Sequence, residues 1–239
     1  MDFDRHATNY RAAFAEAALG VPVEKLAKEK ARLILEVLAS CVDDPKRLRV
    51  LDVGCGIGLI DQGLEREVAA LCGVDTSLAS LEHARATVST AHFVHYHGGR
   101  LPFEDGSFDA VFASCVLHHV PVAERREFLA EMLRVLRPKG AVILIEHNPF
   151  NPVTRYIVSR CAFDTDAVLL RCHETMGWLK DAGVVNADRR YIGFSPLRHA
   201  LIERAERMMG WLPLGAQYCA WGIKGRATKS SATGPKAIA

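Results

Sequence analysis

The spacing of hydrophobic positions changes several times along this chain of 239 residues. Between residues 48 and 146, short apolar runs alternate with segments whose apolar residues recur at helical spacing. The apolar runs predict strands at 48–53, 70–74, 92–96, 108–113 and 141–146. The periodic segments predict helices at 59–68, 77–88 and 122–136. Strands that alternate with helices favour an α/β fold with a doubly wound, mostly parallel sheet.

The flanking segments predict helices first and a mixture of elements afterwards. Residues 5–20 and 23–40 have helical spacing, and the turn-forming run Asn148–Pro152 interrupts regular structure after the fifth strand. Beyond it we predict helices at 153–160, 174–181 and 197–210, and strands at 189–194 and 216–223. Residues 224–239 are rich in Ser, Thr, Gly, Ala and Lys without periodicity, which predicts a disordered tail.

Composition narrows the class of protein further. The net charge of +2, with Lys and Arg scattered along the chain, gives no indication of nucleic-acid binding. No apolar run reaches the length of about 20 residues that spans a bilayer, so we expect no stable membrane insertion. The polar start Met1–Arg5 lacks the apolar core of a signal peptide, and seven cysteines without a C-x-x-C pair suit reduced thiols. We therefore expect a cytoplasmic protein, and the sequence leaves monomer and homodimer open.

The most informative segment is the end of the first predicted strand. There the chain reads Val50 to Gly58, with glycines at 54, 56 and 58, and a helical pattern follows. A buried strand that opens into a glycine turn before a helix is typical of a nucleotide pocket, because glycine lets the backbone approach a ligand closely. The dinucleotide pattern G-x-G-x-x-G would need glycine where Leu59 stands, which argues against a nicotinamide dehydrogenase. Asp52 suits a ligand with an ammonium group better than a pyrophosphate.

A second signal is the acid that ends the next strand. Asp75 follows Gly54 by 21 residues. An acid at the tip of the neighbouring parallel strand can accept hydrogen bonds from both ribose hydroxyls of a bound nucleoside.

Three downstream motifs complete the pattern: Leu101–Ser114, Val116–Val120 and Leu133–Glu146. In this order and spacing, the segments resemble the class I S-adenosylmethionine-dependent methyltransferases, in the small-molecule branch that contains the quinone-biosynthesis enzymes. The resemblance covers roughly residues 5–195. It implies a Rossmann-like sheet of seven strands, in which the last strand is antiparallel between the fifth and the sixth. It also implies a single domain over 1–223, with a helical lid at 1–40, substrate-cap elements at 147–178 and 195–215, and a tail at 224–239.

The resemblance implies S-adenosyl-L-methionine as cofactor and S-adenosyl-L-homocysteine as product. Relatives usually carry an acid shortly before the Leu-Pro-Phe segment to meet the adenine amino group, whereas this chain has His97-Gly98-Gly99-Arg100. We therefore expect backbone at Gly99 and Arg100, with Leu101 packed on the ring, to contact adenine. The implied cofactor-binding residues are Tyr10 in the lid, Asp52, Gly54, Cys55, Gly56 and Gly58 in the glycine turn, Asp75, Thr76, Gly99, Arg100 and Leu101, and Ser114 and Cys115 after the fourth strand.

Methyl transfer from a sulfonium is an in-line displacement that needs neither a metal nor a covalent intermediate. We expect no metal site, since the histidines at 92, 95 and 97 have no acidic or cysteine partner nearby. His147, at the carboxyl end of the fifth strand, is the best candidate for a general base, because the ordinary pKa of histidine is about 6.5. His118 and His119 are further candidates, one facing the cleft and the other the helix packing.

The acceptor is less well determined than the cofactor. We expect O-methylation of a small molecule or of a lipid- or sugar-linked metabolite, and leave N- or C-methylation and a non-catalytic cofactor-binding partner subunit as alternatives. The Asn-Pro-Pro-Tyr motif of DNA adenine methylation is absent after the fourth strand. A possible anionic acceptor is indicated by basic residues of the predicted cap, namely Arg155, Arg160, Arg171 and His173.

Overall fold

The fold is described from a computed structural model. It describes residues 4–17, 22–194, 206 and 208–225, without the side chains of residues 5 and 6. The predicted tail lies outside the described residues from 226 onward, and so does most of the predicted helix at 197–210.

One sheet of seven strands forms the centre of the protein. The strands are β1 Arg49–Val53, β2 Ala70–Asp75, β3 His92–His95, β4 Phe108–Ser114, β5 Leu136–His147, β6 Val184–Ile192 and β7 Gln217–Lys224. Their order across the sheet is β3-β2-β1-β4-β5-β7-β6. The first five strands are parallel, and β7 pairs antiparallel with both β5 and β6. The predicted α/β fold, with an antiparallel last strand between the fifth and sixth, is confirmed.

Helices cover the sheet and extend past its ends. They are α1 Asp4–Ala7, α2 Tyr10–Ala17, α3 Val23–Cys41, α4 Asp61–Leu64, α5 Leu78–Thr87, α6 Arg125–Val135, α7 Pro152–Arg160 and α8 Cys172–Asp181, with a 3₁₀ helix at Pro45–Arg47. Among the described residues, no helix combines the length and the apolar composition that crossing a membrane requires.

The alternation of side chains along β5 shows how both faces of the sheet are buried. Ala141, Ile143 and Ile145 pack on one face with apolar residues of α3, whereas Val142 and Leu144 pack on the other with residues of α6 and α8. All five side chains are inaccessible to solvent. A parallel strand between two helical layers needs such a continuous apolar run, which is why β5 could be recognised in the sequence.

The helix after β1 is much shorter than predicted. Pattern alone gives a helix over 59–68, but α4 has only four residues. Gly63 lies where a Cβ atom would come within 2.7 Å of Ala31 Cβ on α3, so the close approach of the two helices requires a glycine that also weakens the helix. Asp61, at the start of α4, is fully buried. Burial raises its pKa to about 7.

Two strands begin earlier than predicted, because bulges lie within them. In β5, Leu136 pairs with Phe108, and the ladder resumes only at Ala141, with Lys139 between them at φ +67°. The Pro-Lys-Gly run that resembles a loop in the sequence is this bulge. In β6 the register shifts near Asn186, which has φ +51°. Residues in the left-handed region disguise a strand because they break its period of two.

Candidate active site

A cavity of about 390 Å³ opens at the carboxyl ends of the parallel strands. Its walls come from the glycine turn after β1, from the residues that follow β2, β4 and β5, and from helices α2 and α3. Ligands bind at this edge of parallel sheets, where the strand order reverses between β1 and β4. The volume is in the range of small-ligand sites.

The glycine turn is held against the neighbouring strand by its own backbone. The N–H groups of Gly54 and Cys55 both donate to the carbonyl of Val74 in β2, at 2.8 and 3.0 Å. Gly54 has φ +80°, and a Cβ atom there would come within 2.5 Å of Val116 Cγ2. Gly56 has φ +54° with open space where a side chain would stand. The turn therefore requires glycine at position 54 and leaves room for a ligand above position 56.

Asp75 joins the turn to the end of β2. Its Oδ2 accepts a hydrogen bond from the Gly56 N–H at 2.7 Å, and its Oδ1 accepts one from the Ser77 N–H at 2.9 Å. Burial raises the pKa of Asp75, although these N–H donors act in the opposite direction. The carboxylate lines the cavity beside Thr76, so it can also receive hydroxyl donors from a bound ligand.

Two buried polar atoms in the cavity wall have no hydrogen-bond partner among the described residues. They are Asp52 Oδ1 and Ser114 Oγ, at the ends of β1 and β4. Burial raises the pKa of Asp52 well above its usual value, and the nearby carboxyls of Asp61 and Asp75 raise it further. A ligand with both a cationic donor and an acceptor group would give hydrogen-bond partners to Asp52 Oδ1 and Ser114 Oγ. These atoms therefore suit the amino-acid end of S-adenosylmethionine, whose ammonium donates and whose carboxylate accepts hydrogen bonds.

At the other end of the cavity, Gly98 and Gly99 form an open stretch of backbone. Both have positive φ, and a Cβ atom on either would meet nothing within 4 Å. Leu101, in contrast, belongs to the apolar core, and its N–H donates to Glu131 Oε2 at 3.0 Å. Arg100 is exposed and does not line the cavity. Of the three residues predicted to contact adenine, only Gly99 lines the cavity.

Cys115 lies at the centre of a polar group on the cavity floor. Its Sγ is 3.2 Å from Lys30 Nζ and 3.2 Å from Gln217 Nε2. Gln217 Nε2 lies 3.3 Å from His147 Nδ1. The residue has φ +59°, which is rare for a side chain of this kind. Burial raises the pKa of the thiol, but Lys30 and His147 outweigh burial and bring it to about 6.

This environment predicts that Cys115 is alkylated by iodoacetamide at a lower pH than an ordinary thiol. The rate should rise through a midpoint near pH 6, because only the thiolate reacts, whereas an unperturbed thiol has a pKa near 8.5. Site-resolved mass spectrometry across pH 4–9 measures this rate for every cysteine in one sample. Lys30→Met should move the midpoint upward. A midpoint above pH 8 in the unmodified protein would contradict the ion pair.

Glu146, at the end of β5, binds the segment that follows β4. Its Oε1 accepts from the N–H groups of Val116 and Leu117 at 3.0 and 2.8 Å, and its Oε2 lies 2.6 Å from His118 Nδ1. The side chains of His118 and Glu146 are each only 1% exposed. Burial raises the pKa of Glu146, but His118 and the backbone donors outweigh burial, so the pKa is low.

Asp164, in the loop after α7, meets both neighbouring histidines. Its Oδ1 lies 3.4 Å from Nε2 of His118 and 3.4 Å from Nε2 of His119. Burial lowers the pKa of His118, but Glu146 and Asp164 outweigh burial and raise it to about 10. Burial and the charge on His118 together lower the pKa of His119 to about 4. His118 is thus the charged member of the pair and His119 the neutral one.

The helices at the amino end cover the cavity. The ring of Tyr10 stacks on Phe163 with 4.8 Å between centroids and 17° between planes. Asp4 fixes the preceding helix, because its Oδ1 accepts from Ser77 Oγ at 2.6 Å. The described part of the predicted lid segment therefore lines the cavity.

The structure brings most of the predicted site residues to one cavity. Those that line it are Tyr10, Asp52, Gly54, Cys55, Gly56, Asp75, Thr76, Gly99, Ser114, Cys115, His118, His119 and His147. Gly58, Arg100 and Leu101 do not line it. The basic residues of the predicted cap, Arg155, Arg160, Arg171 and His173, are exposed and also lie outside the lining.

The lining also includes residues that were not predicted as site residues, among them Lys30, Phe163, Asp164 and Gln217. Lys30 had a signal, since it lies seven residues after Val23 and four after Leu26 and so falls on the apolar stripe of a predicted helix. Phe163 and Asp164 lie in a loop without periodicity, and nothing in the sequence marks them.

The family model described as "Methyltransferase domain" matches residues 51–144. The chain is 37% identical over 111 residues to the demethylmenaquinone methyltransferase of Clavibacter sepedonicus, covering 45% of this chain and 44% of the relative. It is 27% identical over 179 residues to the ubiquinone biosynthesis O-methyltransferase of Alkalilimnicola ehrlichii, covering 69% and 72%.

Matches to several other relatives also span about half of the relative's length. Among solved structures, a SAM-dependent methyltransferase of Thermotoga maritima has a TM-score of 0.67 at 19% identity, covering 93% of this chain and 98% of that one. At this identity the likeness shows the fold alone. The fold that the motifs predicted is confirmed, and the chain is similar in sequence to methyltransferases over residues 51–144.

Proposed function

We propose that this chain, whose residues 51–144 belong to the methyltransferase domain family, is an S-adenosylmethionine-dependent methyltransferase that methylates an oxygen atom of a small molecule. The observation that carries the proposal is the shared cavity. The glycine turn, Asp75 and the unpartnered oxygens of Asp52 and Ser114 all face one space at the carboxyl ends of the strands.

The cavity offers a complementary group to each part of the cofactor. Asp52 and Ser114 suit its amino-acid end, Asp75 suits the ribose hydroxyls, and the bare backbone at Gly99 suits adenine. When bound, the cofactor supplies an electrophilic methyl group on a sulfonium. Methyl transfer then depends on alignment and on exclusion of water, and we assign the exclusion of water to Tyr10 and Phe163, whose stacked rings line the cavity.

We propose that His147 is the general base that accepts the proton of the acceptor hydroxyl. Its side chain lines the cavity at the carboxyl end of β5, with Cys115 and Gln217 beside it. The bound cofactor would supply the methyl group to the acceptor oxygen, and the imidazole of His147 would take the proton that leaves the hydroxyl. His118 is less suited to this role, because it is almost fully enclosed between Glu146 and Asp164.

The acceptor side of the cavity is largely apolar. Its lining includes Phe14, Leu26, Val120, Phe128 and Phe163. This lining suits an apolar or aromatic acceptor with one reacting oxygen. Two relatives support an apolar ring as acceptor, since one is named for demethylmenaquinone and the other for ubiquinone biosynthesis, and the second is named an O-methyltransferase. Among the described residues, Lys30 is the only Lys or Arg in the lining, and Glu146 and Asp164 balance the charge of His118, so we propose a neutral ring as the reacting part.

Calorimetric titration with S-adenosylmethionine and S-adenosylhomocysteine tests the proposal, with NAD as the comparison ligand. We expect one site with micromolar affinity for both sulfur compounds and none for NAD. Transfer of a radioactive methyl group to a panel of phenols and hydroquinones then tests the acceptor class. Tight cofactor binding without turnover on any acceptor would favour a non-catalytic subunit, and transfer to amines alone would move the acceptor atom to nitrogen.

A further inference from the structure

Three potential metal ligands meet at the acceptor side of the cavity. His118, His119 and Asp164 each offer one donor atom, and these atoms lie within 4.8 Å of one another. We propose that they form a binding site for one divalent transition-metal ion, with Zn²⁺, Co²⁺ or Fe²⁺ as the chemical class. The sequence indicated no metal site, because Asp164 is 45 residues from His119 and the loop that carries it has no recognisable pattern.

The distances between the donors fit a common ion. Asp164 Oδ1 is 3.4 Å from the Nε2 atoms of both histidines. Ligands about 2.0–2.2 Å from a tetrahedral metal lie about 3.3–3.6 Å apart, so both spacings already agree. The third distance joins the ring nitrogens of His118 and His119. A small rotation of His119, whose side chain is 16% exposed and lines the cavity, would bring it to the same spacing.

The donors are held by groups behind them. Glu146 Oε2 is 2.6 Å from His118 Nδ1, so Nε2 of that ring is directed toward Asp164. A carboxylate behind a ligating histidine is the usual second layer of protein metal sites, because it fixes the ring and increases its basicity. The two carboxylates of Glu146 and Asp164 outweigh the single positive charge of His118, so the net charge of the site attracts a cation.

The two segments that carry the donors are tied together. The Val168 N–H donates to the His118 carbonyl at 2.9 Å. Arg125 donates to the carbonyls of Val120 and Val168 at 2.9 and 2.7 Å. The loop that supplies Asp164 is therefore fixed to the turn that supplies the histidines, which lowers the cost of assembling the three ligands.

The choice of donors also indicates the kind of ion. Two imidazoles and one carboxylate suit borderline transition metals rather than Mg²⁺ or Ca²⁺, which prefer oxygen ligands. Because all three residues line the cavity, the remaining coordination positions face the space where the acceptor binds. An acceptor hydroxyl bound there would lose its proton to His147 more readily. This last step rests on the proposed methyl transfer, whereas the metal site itself does not.

Cobalt titration of the full chain, stripped with EDTA, tests the site independently of activity. We expect one Co²⁺ per chain, with visible d–d bands and without the near-ultraviolet charge-transfer band of thiolate ligands, so binding to any of the seven cysteines can be recognised. His119→Ala and Asp164→Asn should each weaken Co²⁺ binding by about 100-fold or more. His173→Ala, an exposed histidine outside the cavity, is the matched control and should bind as the unmodified protein does.

His119→Ala is the most informative variant, because its side chain is the least buried of the three and its loss leaves Glu146 and His118 paired. Absence of saturable Co²⁺ binding, or binding that both ligand variants leave unchanged, overturns the proposal and leaves a hydrogen-bonded His–Asp cluster. If S-adenosylmethionine does not bind but Co²⁺ does, only the proposed methyl transfer is contradicted.

Discussion

Replacing Asp75 with alanine is expected to weaken binding of S-adenosylmethionine by about 100-fold, which corresponds to about 2.7 kcal/mol. The carboxylate fixes the glycine turn through Gly56 and the start of α5 through Ser77. We propose that it also accepts the ribose hydroxyls. Two hydrogen bonds to a charged acceptor contribute about 1.5–3 kcal/mol each, so a loss of this size needs only a part of that energy.

Calorimetry with both sulfur compounds measures the Asp75 effect. Asp181→Ala serves as the matched control, since Asp181 is an exposed acid paired with Arg126 far from the cavity. Circular dichroism during thermal unfolding checks that the Asp75 variant is folded. Unchanged affinity in a folded Asp75→Ala protein would remove the acid from the cofactor site and require another position for the ribose.

Replacing Glu146 with alanine should lower the free energy of unfolding by about 3–5 kcal/mol, because it removes the nearer of the two carboxylates paired with the buried His118 and leaves only Asp164, at 3.4 Å. It also leaves the N–H groups of Val116 and Leu117 without their acceptor. Glu146→Gln keeps a carbonyl oxygen for these donors but loses the charge, so we expect an intermediate loss of about 1–3 kcal/mol.

Urea denaturation followed by tryptophan fluorescence gives the free energies for this series. Glu82→Ala, at an exposed position of α5, is the control and should change stability by less than about 0.5 kcal/mol. A loss below about 1 kcal/mol for Glu146→Ala would contradict this role and mean that Asp164 alone is a sufficient partner for His118.

Much of the fold was predictable because local pattern and topology agree. Buried parallel strands such as β1 and β5 leave continuous apolar runs in the sequence, and the glycine turn follows β1 directly. Where the sequence misled, a tertiary contact decided the outcome. The close approach of α3 to Gly63 limits α4, and the bulge at Lys139 hides the first part of β5.

The residues of the candidate site also fall into those that the sequence could predict and those that it could not. Residues at strand ends, such as Asp52, Asp75 and His147, were predictable because the topology places the strand ends together. Asp164 was not, because its loop is positioned by long-range bonds to His118 and Arg125 that leave no local pattern. The arginines of α7 are exposed and lie outside the cavity lining, so their predicted binding role stays a prediction.

The position of β7 has a consequence for the synthesis of the protein. β7 comes last among the strands, yet it lies between β5 and β6 and pairs with both. During synthesis on the ribosome, β5 and β6 are therefore made before the strand that pairs with both of them. Their edges stay unpaired until β7 is complete at residue 224. Gln217, which completes the cavity floor beside Cys115, arrives with the same strand. A chain whose synthesis stalls before β7 exposes unpaired N–H and C=O groups along the edge of β5, and chaperones and proteases recognise such an edge.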